Sequence, residues 1–439
     1  MKQFTATSPI TPGSGRQWSR RAFVGSLAAA STLAAPSDRI HHAVIGLGGR
    51  GAVHLKEFAR QPGCRVVAVC DVDQQALDRG AALIESLQSS RPKTYTDLRR
   101  VFEDGEIDTV SIATPNHWHA LATIWACQAG KDVYVEKPAS HNIWEGRQMI
   151  EAARKYERLV QVGSQSRSIA HKIRAMRLLQ EGIVGKVYLA KGLCYKRRRS
   201  IGHTPETPVP AGLDWNVFLG PAPTRPFTRN RFHYNWHWFW DTGNGDIGNQ
   251  GVHEMDLARW GLNRDSLPKS VVSTGAKFVY DDDQETPNTQ TATFDYGDAQ
   301  LVFEVRGLLT NAEEGILIGN IFYGADGYMT VDSQGFAVYK GEKKEKVMTG
   351  SPEEGAEWDV SGHIANFLQA VRSRRRQDLT ADVAVGVTSA ALCHLANISY
   401  RLRRMLTFDS DRWEFPGDSQ ANRLLTRDYR APFVVPEKV

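Results

Sequence analysis

The sequence has few cysteines. Only five of its 439 residues are cysteine, namely Cys64, Cys70, Cys127, Cys194 and Cys393, and no two of them form a Cys-x-x-Cys pair. An odd, scattered set lacks the spacing of a disulfide framework or a zinc site. We therefore expect all five thiols to be small buried apolar groups.

A general excess of positive charge is also missing. The formal charge is +5, but residues 1–36 contain four basic residues and no acid, which leaves 50 basic and 49 acidic residues elsewhere. Nucleic-acid binding requires a basic surface, so no such partner is expected. The sequence shows no internal repeat and no apolar run that suggests a transmembrane segment, which predicts a soluble protein of two or three domains without a membrane partner.

Residues 1–36 have the pattern of an export signal. Arg20 and Arg21 precede Phe23, a mildly apolar run covers 24–35, and small residues end it. This pattern resembles a twin-arginine signal, which directs folded proteins out of the cytoplasm. We expect a leader at 1–36 and a periplasmic or otherwise exported protein; an amphipathic or disordered tail is the alternative.

Residues 37–163 alternate between apolar strands and helical segments. Strands are predicted at 43–47, 65–70, 109–113, 132–136 and 159–162, and helices near 51–60, 74–87, 118–129 and 143–156. Strands that are apolar on both faces and separated by helices indicate a parallel sheet covered on both sides. Ligands of such sheets bind beyond the carboxyl ends of the strands.

The first strand leads into Gly46-x-Gly48-x-x-Gly51 and then into a helix. In a dinucleotide-binding turn these glycines permit the tight turn, the backbone's approach to the pyrophosphate and close packing of helix and strand. The second strand ends at Asp71, twenty residues after Gly51. Its carboxylate suits ribose hydroxyls and would repel a 2′-phosphate, so NAD is predicted rather than NADP.

Two further loops follow strands of the same sheet. Thr114-Pro115-Asn116, with His119 beyond it, leaves the strand at 109–113, and Glu136-Lys137-Pro138 ends the strand at 132–136. The first loop offers polar groups that could lie near a nicotinamide. The second places the cation of Lys137 at the same edge of the sheet, where the strands have their carboxyl ends. Surface or helix-capping positions for these residues are the structural alternative.

Together, these motifs resemble the Gfo/Idh/MocA oxidoreductase family in order and spacing over the whole first domain. The resemblance places Lys137 near the nicotinamide and the reacting hydroxyl, where burial would lower its pKa. We expect the cofactor to contact Gly46, Gly48, Gly49, Arg50, Gly51, Asp71, Thr114, Pro115, Asn116, His119, Glu136 and Lys137.

The resemblance also implies an α/β fold with two parts: a Rossmann domain at 37–163 and an α+β domain at 164–381 with a large open mixed sheet. Strands are expected at 186–193, 270–280, 289–294, 300–305, 315–323 and 328–331, and helices at 169–180 and 362–374. One face of the sheet is expected to pair with another subunit in a homo-oligomer. A late helix at 382–405 should pack back on the Rossmann domain. An irregular tail at 406–439 should follow, either on the surface or reaching a neighbouring subunit.

A long insertion at 195–241 is rich in aromatic residues, which argues against disorder. Aromatic faces suit the C–H faces of sugars, while arginine and asparagine suit hydroxyls or carboxylates; alternatively, the rings fill the gap between domains. The expected substrate contacts are Arg167, Tyr234, Trp236, His237, Trp240 and Asp256. His233 and His237 are four residues apart, but without a His-Glu-x-x-His pattern or a carboxylate cluster no metal is expected.

Asn249, His253 and Asp256 have the spacing of one helical face. In the family this helix ends in Gly-x-His-x-x-Asp and carries a catalytic acid four residues before the histidine. That position is Asn249 here, and an amide cannot transfer a proton. The predicted catalytic residues are Lys137, His253 and Asn249, with His253 as a general acid or base.

These observations predict an NAD-dependent oxidoreductase acting on a sugar or sugar derivative, with a tightly held cofactor. Two alternatives stay open: an NAD-dependent glycoside hydrolase or lyase that oxidises the sugar transiently, and a non-catalytic NAD- or sugar-binding protein. Asn249 favours the first alternative, since the usual proton-transferring acid is replaced.

Overall fold

The computed structural model describes residues 39–352 and 360–439. The predicted leader at 1–36, with its arginine pair, lies outside the described residues. The described chain forms two β-sheets with helices packed on them.

The first sheet has six parallel strands in the order β3-β2-β1-β4-β5-β6. These are β1 (Ile40–Ile45), β2 (Cys64–Cys70), β3 (Lys93–Tyr95), β4 (Thr109–Ile112), β5 (Asp132–Val135) and β6 (Val160–Val162). Between them run α1 (Gly49–Arg60), α2 (Gln74–Gln88), α3 (Leu98–Glu103), α4 (Asn116–Gln128) and α5 (Ile143–Lys155). This arrangement confirms the predicted Rossmann fold, in which the strand order reverses between β1 and β4.

Buried apolar side chains explain why these segments form a two-sided sheet. All four residues of β4 and all four of β5 are buried, although β4 includes Thr109 and Ser111 and β5 includes Asp132. The short strand β3 and the helix α3 were not predicted. The three residues of β3 are polar or half-exposed and give no apolar signal.

The second sheet has nine strands in the order β14-β13-β12-β11-β7-β10-β9-β8-β15. They are β7 (Val187–Cys194), β8 (Ser270–Ala276), β9 (Thr289–Asp295), β10 (Gln300–Arg306), β11 (Ile318–Gly324), β12 (Gly327–Val331), β13 (Phe336–Lys340), β14 (Glu345–Gly350) and β15 (Leu406–Thr407). The sheet is mixed, as predicted, because β10 runs parallel to β7 while the other pairs are antiparallel. Strands β13 to β15 were not predicted.

Helices cover one face of the second sheet or connect it to the first. They are α6 (Ala170–Gln180), α7 (Trp215–Leu219), α8 (Gly245–Asn249), α9 (Gly251–Gly261), α10 (Val360–Ser373), α11 (Val383–Leu402) and α12 (Ser419–Asn422). In α11, Val383 and Val387 join the core beside the first sheet, while Leu395 and Ile398 join the core beside the second. This helix therefore contributes to the cores of both sheets.

By length and composition alone, α11 is long and apolar enough to cross a membrane, although its sequence did not suggest a transmembrane segment. However, 83% of its apolar window is buried inside the fold. A helix that is apolar all round and enclosed by protein is a core helix.

All five cysteines are free and buried, as predicted.

The tail after α11 is more firmly anchored than a surface segment need be. Phe415, Phe433 and Val435 are almost fully buried, and β15 pairs with β8. Each buried aromatic side chain removes a large apolar area from water. Residues 406–439 thus follow the surface for most of their length and insert a few apolar side chains into the core.

Candidate functional site

A large cavity opens at the carboxyl ends of β1, β2, β4 and β5, with a volume of about 750 Å³. The glycine turn and Asp71 line one end, and Lys137 and Asn249 line the other. The volume is within the range of small-molecule and cofactor sites, and the position is the crevice where the strand order reverses. The cavity therefore coincides with the predicted dinucleotide site.

The glycine turn has the geometry that the motif predicts. Gly46 has φ +82°, and a Cβ added to Gly51 would lie 1.8 Å from the Gly46 carbonyl oxygen. Both positions thus require glycine for the turn itself. In contrast, a Cβ on Gly48 or Gly49 would meet no protein atom within 4 Å. Bare backbone here faces open space at the start of α1, which fits a pyrophosphate held by the helix N-terminus.

Asp71 lies at the other side of this turn. Its carboxylate accepts hydrogen bonds from the backbone amides of Leu47, at 2.7 Å, and Asp73, at 2.9 Å. Burial raises the pKa of Asp71, and these backbone donors oppose that rise. The amides fix the carboxylate at the cavity wall, where it can accept hydrogen bonds from ribose hydroxyls.

Lys137 is the cation at the far end of the cavity. Its Nζ donates to the Asn249 backbone carbonyl at 2.5 Å. Burial lowers its pKa from 10.5 to about 8, although the neighbouring Glu136 carboxylate acts in the opposite direction. A lysine with this pKa can serve as a proton acceptor near neutral pH.

Glu136 anchors a buried polar cluster behind Lys137. Its Oε1 accepts from His54 Nε2 and Gln165 Nε2, each at 3.0 Å, and Arg50 lies 3.6 Å away. Burial alone would raise the pKa of Glu136, but Arg50 and His54 outweigh it and hold the pKa well below its usual range. Glu136 is therefore ionised and positions Arg50 beside the glycine turn.

Aromatic residues of the insertion face Lys137. The Tyr234 hydroxyl oxygen accepts from Arg198 Nη1 at 2.9 Å and from Asn249 Nδ2 at 3.1 Å. Because both neighbours donate, the Tyr234 proton is free to point elsewhere. His237 stacks on Trp236 at a centroid distance of 3.6 Å, and its Nδ1 lies 2.5 Å from the Tyr234 carbonyl oxygen.

The protonation of His237 follows from its surroundings. Burial lowers its pKa to about 3, so the ring is neutral at neutral pH. A carbonyl only accepts, so Nδ1 carries the proton and Nε2 keeps its lone pair. Tyr234, Trp236, His237 and Asn249 all line the cavity, which brings these predicted residues together with Lys137.

The loop that follows β4 forms one wall of the cavity. Thr114, Pro115, Asn116 and His119 line it, and the Thr114 hydroxyl is buried without a protein partner. An orphaned hydroxyl in a cofactor cleft fits a polar group of the ligand. His119 has both ring nitrogens near carbonyl oxygens, those of Pro138 and Thr114, so it braces the loop.

Five predicted residues do not line this cavity, and one of them is Gly51, whose close approach to Gly46 serves the turn itself. Arg167 and Asp256 form a buried two-hydrogen-bond ion pair, with both distances 2.8 Å. Trp240 lines a different, smaller cavity. His253 is 8% exposed, and its pKa is held well below its usual range by burial and by Lys137, so it is neutral.

The expected shared face of Asn249, His253 and Asp256 is interrupted. Helix α8 ends at Asn249 and α9 begins at Gly251, with Gln250 capping both. Asn249 thus faces the cavity, whereas Asp256 faces Arg167. Because this ion pair is deeply buried and lies outside the cavity lining, its position indicates a structural role. The predicted substrate contacts of Arg167 and Asp256 therefore have no geometric support.

Several cavity residues were not predicted from the sequence. Arg79 and Thr96 lie at the Asp71 end, while Val217, Phe218 and Phe232 face the loop after β4. The Phe218 ring stacks on Trp215 at 4.8 Å. The density of aromatic residues in the insertion was the only available signal, and it did not indicate which rings would line the cavity.

Comparison with known families decides the identity of this fold. Residues 40–164 match the NAD-binding Rossmann domain of the Gfo/Idh/MocA oxidoreductases, and residues 171–435 match the C-terminal alpha/beta domain of the same family. The chain belongs to the Gfo/Idh/MocA oxidoreductase family. Its first domain binds NAD, as the glycine turn and Asp71 predicted.

The curated relatives of this Gfo/Idh/MocA protein include several that are described as glycosyl hydrolase family 109 proteins. One, from Shewanella pealeana, is 27% identical over 154 residues, or 34% of each chain. Another, from Saccharopolyspora erythraea, is 27% identical over 194 residues, or 43% of this chain and 40% of the relative. The matches thus span less than half of the length of these relatives.

Solved structures share the fold over most of the chain. The WlbA dehydrogenase from Bordetella pertussis, determined with NADH and UDP-GlcNAcA, has a TM-score of 0.63 at 19% identity, covering 84% of this chain and 99% of its own. An aldose–aldose oxidoreductase from Caulobacter crescentus, determined with glycerol, has a TM-score of 0.64 at 18% identity, covering 84% and 100%. At these identities the likeness concerns the fold.

Proposed function

We propose that this protein is an NAD-dependent oxidoreductase acting on an alcohol carbon of a sugar or sugar derivative. The observation that carries the proposal is Lys137, whose half-buried ammonium has a pKa of about 8 and lies in the NAD cleft with Tyr234 and His237. Bound NAD would accept a hydride from the alcohol carbon. The chain must then supply a base for the hydroxyl proton.

Lys137 is suited to that task. In its neutral form it can accept the hydroxyl proton as the C–H bond breaks, and the Asn249 carbonyl holds its Nζ in place. His237 Nε2 offers an acceptor to a neighbouring hydroxyl, and Tyr234 offers a proton donor. The Trp236 and His237 rings present flat faces that suit the C–H faces of a sugar.

The substrate class also draws support from the relatives. WlbA was determined with a nucleotide sugar derivative, and the Caulobacter protein is described as acting on aldoses. Several uncharged polar side chains, and few anionic ones, face the Lys137 end of the cavity. A neutral polyol or sugar fits that balance.

A second function is favoured by the curated relatives: cleavage of a glycosidic bond after transient oxidation of the sugar, with no net redox change. Position 249 holds an amide, and Tyr234 is hydrogen-bonded to it. Because the Tyr234 oxygen accepts from Arg198 and Asn249, its own proton is free to be donated to the oxygen of a glycosidic bond.

One experiment separates these functions. NAD-loaded protein is mixed with a panel of free sugars and aryl glycosides, and both reduced-nicotinamide absorbance and aglycone release are recorded. If a free sugar reduces the bound nicotinamide, and the nicotinamide stays reduced or is reoxidised by a second substrate, the result supports the oxidoreductase. Aglycone release without added NAD and without net reduction supports the hydrolase. A folded, NAD-binding protein that does neither contradicts both.

We further propose that the protein is exported and that it forms a homo-oligomer. The arginine pair and apolar run of residues 1–36 support export. Because a twin-arginine signal exports a protein that is already folded, we expect the protein to carry its NAD tightly bound through export. Support for the homo-oligomer comes from the second sheet, where alternate residues of β8 to β10 stay at least partly exposed on the face opposite the helices. In the same sheet, Tyr328 of β12 stacks on Tyr339 of β13 with their ring centroids 4.6 Å apart. Size measurement in solution and fractionation of cells test the two proposals.

A further inference from the structure

A second cavity, of about 250 Å³, lies apart from the lining of the NAD cleft. The C-terminal end of α11, the tail that follows it, the loop before α5 and the end of the aromatic insertion form its walls. Its volume corresponds to roughly eight water molecules, at about 30 Å³ each. It therefore has room for a small molecule but not for a dinucleotide.

Arg427, from the tail, is the most enclosed cation of this cavity. Its Nη1 donates to the Asp241 backbone carbonyl at 2.7 Å and faces His141 Nδ1 at 3.2 Å. Its Nε and Nη2 are buried and have no hydrogen-bond partner. A buried guanidinium with two unpaired donors is costly unless an acceptor is supplied.

Arg401 approaches from the end of α11. Its guanidinium lies over the Trp240 ring, 5.5 Å from the centroid, and Trp240 also lines the cavity. In residues 39–352 and 360–439 neither Arg401 nor Arg427 forms an ion pair within 4.0 Å. Two guanidinium groups thus share one small cavity without a counter-charge in contact.

The carboxylates around the cavity act on these guanidinium groups from a distance but contact neither of them. Asp241 Oδ2 accepts from Arg225 Nε at 2.7 Å and is committed to that pair. Glu145 accepts hydrogen bonds from His141, Asn142 and Tyr429 and forms no ion pair with Arg427; burial raises its pKa, and the charge of Arg427 opposes that rise. Asp428 is exposed at the rim.

The histidines of the cavity are neutral. Burial, with Arg427, holds the pKa of His141 well below its usual range, and burial lowers that of His394 to about 4. His141 can donate from Nε2 to the Gly243 carbonyl and accept from Arg427 through Nδ1. The positive charge at this place therefore belongs to the two arginines alone.

We propose that this second cavity binds a small oxyanion-bearing molecule, whose carboxylate or phosphate oxygens accept hydrogen bonds from Arg427 and Arg401. Planar guanidinium groups match both oxyanions with paired donors. Trp240 forms an apolar side wall for the rest of the molecule. The site is independent of the reaction in the NAD cleft, so its test needs no turnover.

The test uses full-length protein saturated with NAD, so that the pyrophosphate position cannot capture the probe. Inorganic phosphate, malonate and uncharged glycerol are titrated by calorimetry at low ionic strength. We expect saturable binding of one phosphate or malonate per chain and none of glycerol. Binding of phosphate alone points to a phosphate ester as the natural ligand, and binding of malonate alone points to a carboxylate.

Variants locate the site. Arg401→Gln and Arg427→Gln should each weaken binding at least tenfold, whereas Arg423→Gln, an exposed arginine of the same tail outside the cavity, should not. Because Arg427 also bonds to the insertion, Arg401→Gln provides the test if Arg427→Gln fails to fold. Absence of saturable binding by either anion, or equal affinity in folded Arg401→Gln, would overturn the proposal.

Discussion

Substitution of Gly48 by alanine tests where the NAD pyrophosphate lies. Gly48 has φ −64° and ψ −165°, a conformation open to alanine, and a Cβ there would meet no protein atom within 4 Å. The folded protein without NAD should therefore tolerate the change. A glycine-to-alanine change at a compatible position stabilises by about 0.4–1 kcal/mol, through the unfolded chain.

NAD binding should respond in the opposite direction. A methyl carbon needs about 3.5 Å of separation from another heavy atom, and at Gly48 it takes the space through which the backbone approaches the pyrophosphate. We expect NAD affinity to fall at least about tenfold, or 1.4 kcal/mol. The assays are thermal unfolding without NAD and calorimetric titration with NAD.

Gly51→Ala is the matched control, because its Cβ would lie 1.8 Å from the Gly46 oxygen. That overlap is with backbone, so the turn itself must move, at a cost of about 1–3 kcal/mol or more in folding stability. Gly48→Ala should thus lose binding but not stability, and Gly51→Ala should lose both. Folded Gly48→Ala protein that binds NAD as tightly as the parent would refute the assignment.

Three further predictions follow from the site. The rate of sugar oxidation should rise with pH through about 8 and then level off, because Lys137 must be neutral to accept a proton. The Lys137→Met substitution should lower kcat by about 10²–10⁴-fold and change NAD affinity little. Substitution of the exposed Lys56 by methionine is the control. Asp71→Ser should weaken NAD binding and reduce discrimination against NADP, measured by parallel titrations. Asp256→Asn should lower the free energy of unfolding by about 3–5 kcal/mol, since Arg167 would lose its buried partner, while exposed Asp411→Asn should not; denaturant titration measures both.

The Asp256 pair also predicts a pH dependence of stability. Burial would raise the pKa of Asp256, but Arg167 outweighs it and holds the pKa below 3.8. A carboxylate with a depressed pKa contributes stability above its unfolded value, and this is lost as pH falls through the folded pKa. In acid unfolding, the Asp256→Asn protein should therefore lose less stability below about pH 4 than the parent.

The Rossmann half of the fold could be predicted because its signals are local. Glycines of fixed spacing, a following helix and an acidic residue after the next strand each stand within a short stretch of sequence. The same holds for Lys137, at the end of a buried strand. Strand β3 was missed because three polar residues carry no periodicity.

The rest depends on contacts between distant residues. Strand β14 begins with a glutamate and a lysine and has no buried residue, so its pairing is set by the sheet and not by an apolar pattern. Strand β13 does carry an alternating apolar pattern, although no strand was predicted there. Phe415 and Phe433 lie in an irregular tail whose burial no local rule predicts. Likewise, Arg167 gave no sign that Asp256, far along the chain, would occupy its guanidinium.

Transfer of deuterium tests the central claim most directly. A fully deuterated form of the first active sugar is added to NAD-loaded protein, and the nicotinamide is analysed by mass spectrometry and NMR. We expect deuterium at nicotinamide C4 with the parent protein, and its rate of appearance to fall by about 10²–10⁴-fold in Lys137→Met. Product formed with no deuterium entering the nicotinamide at any time would contradict the account.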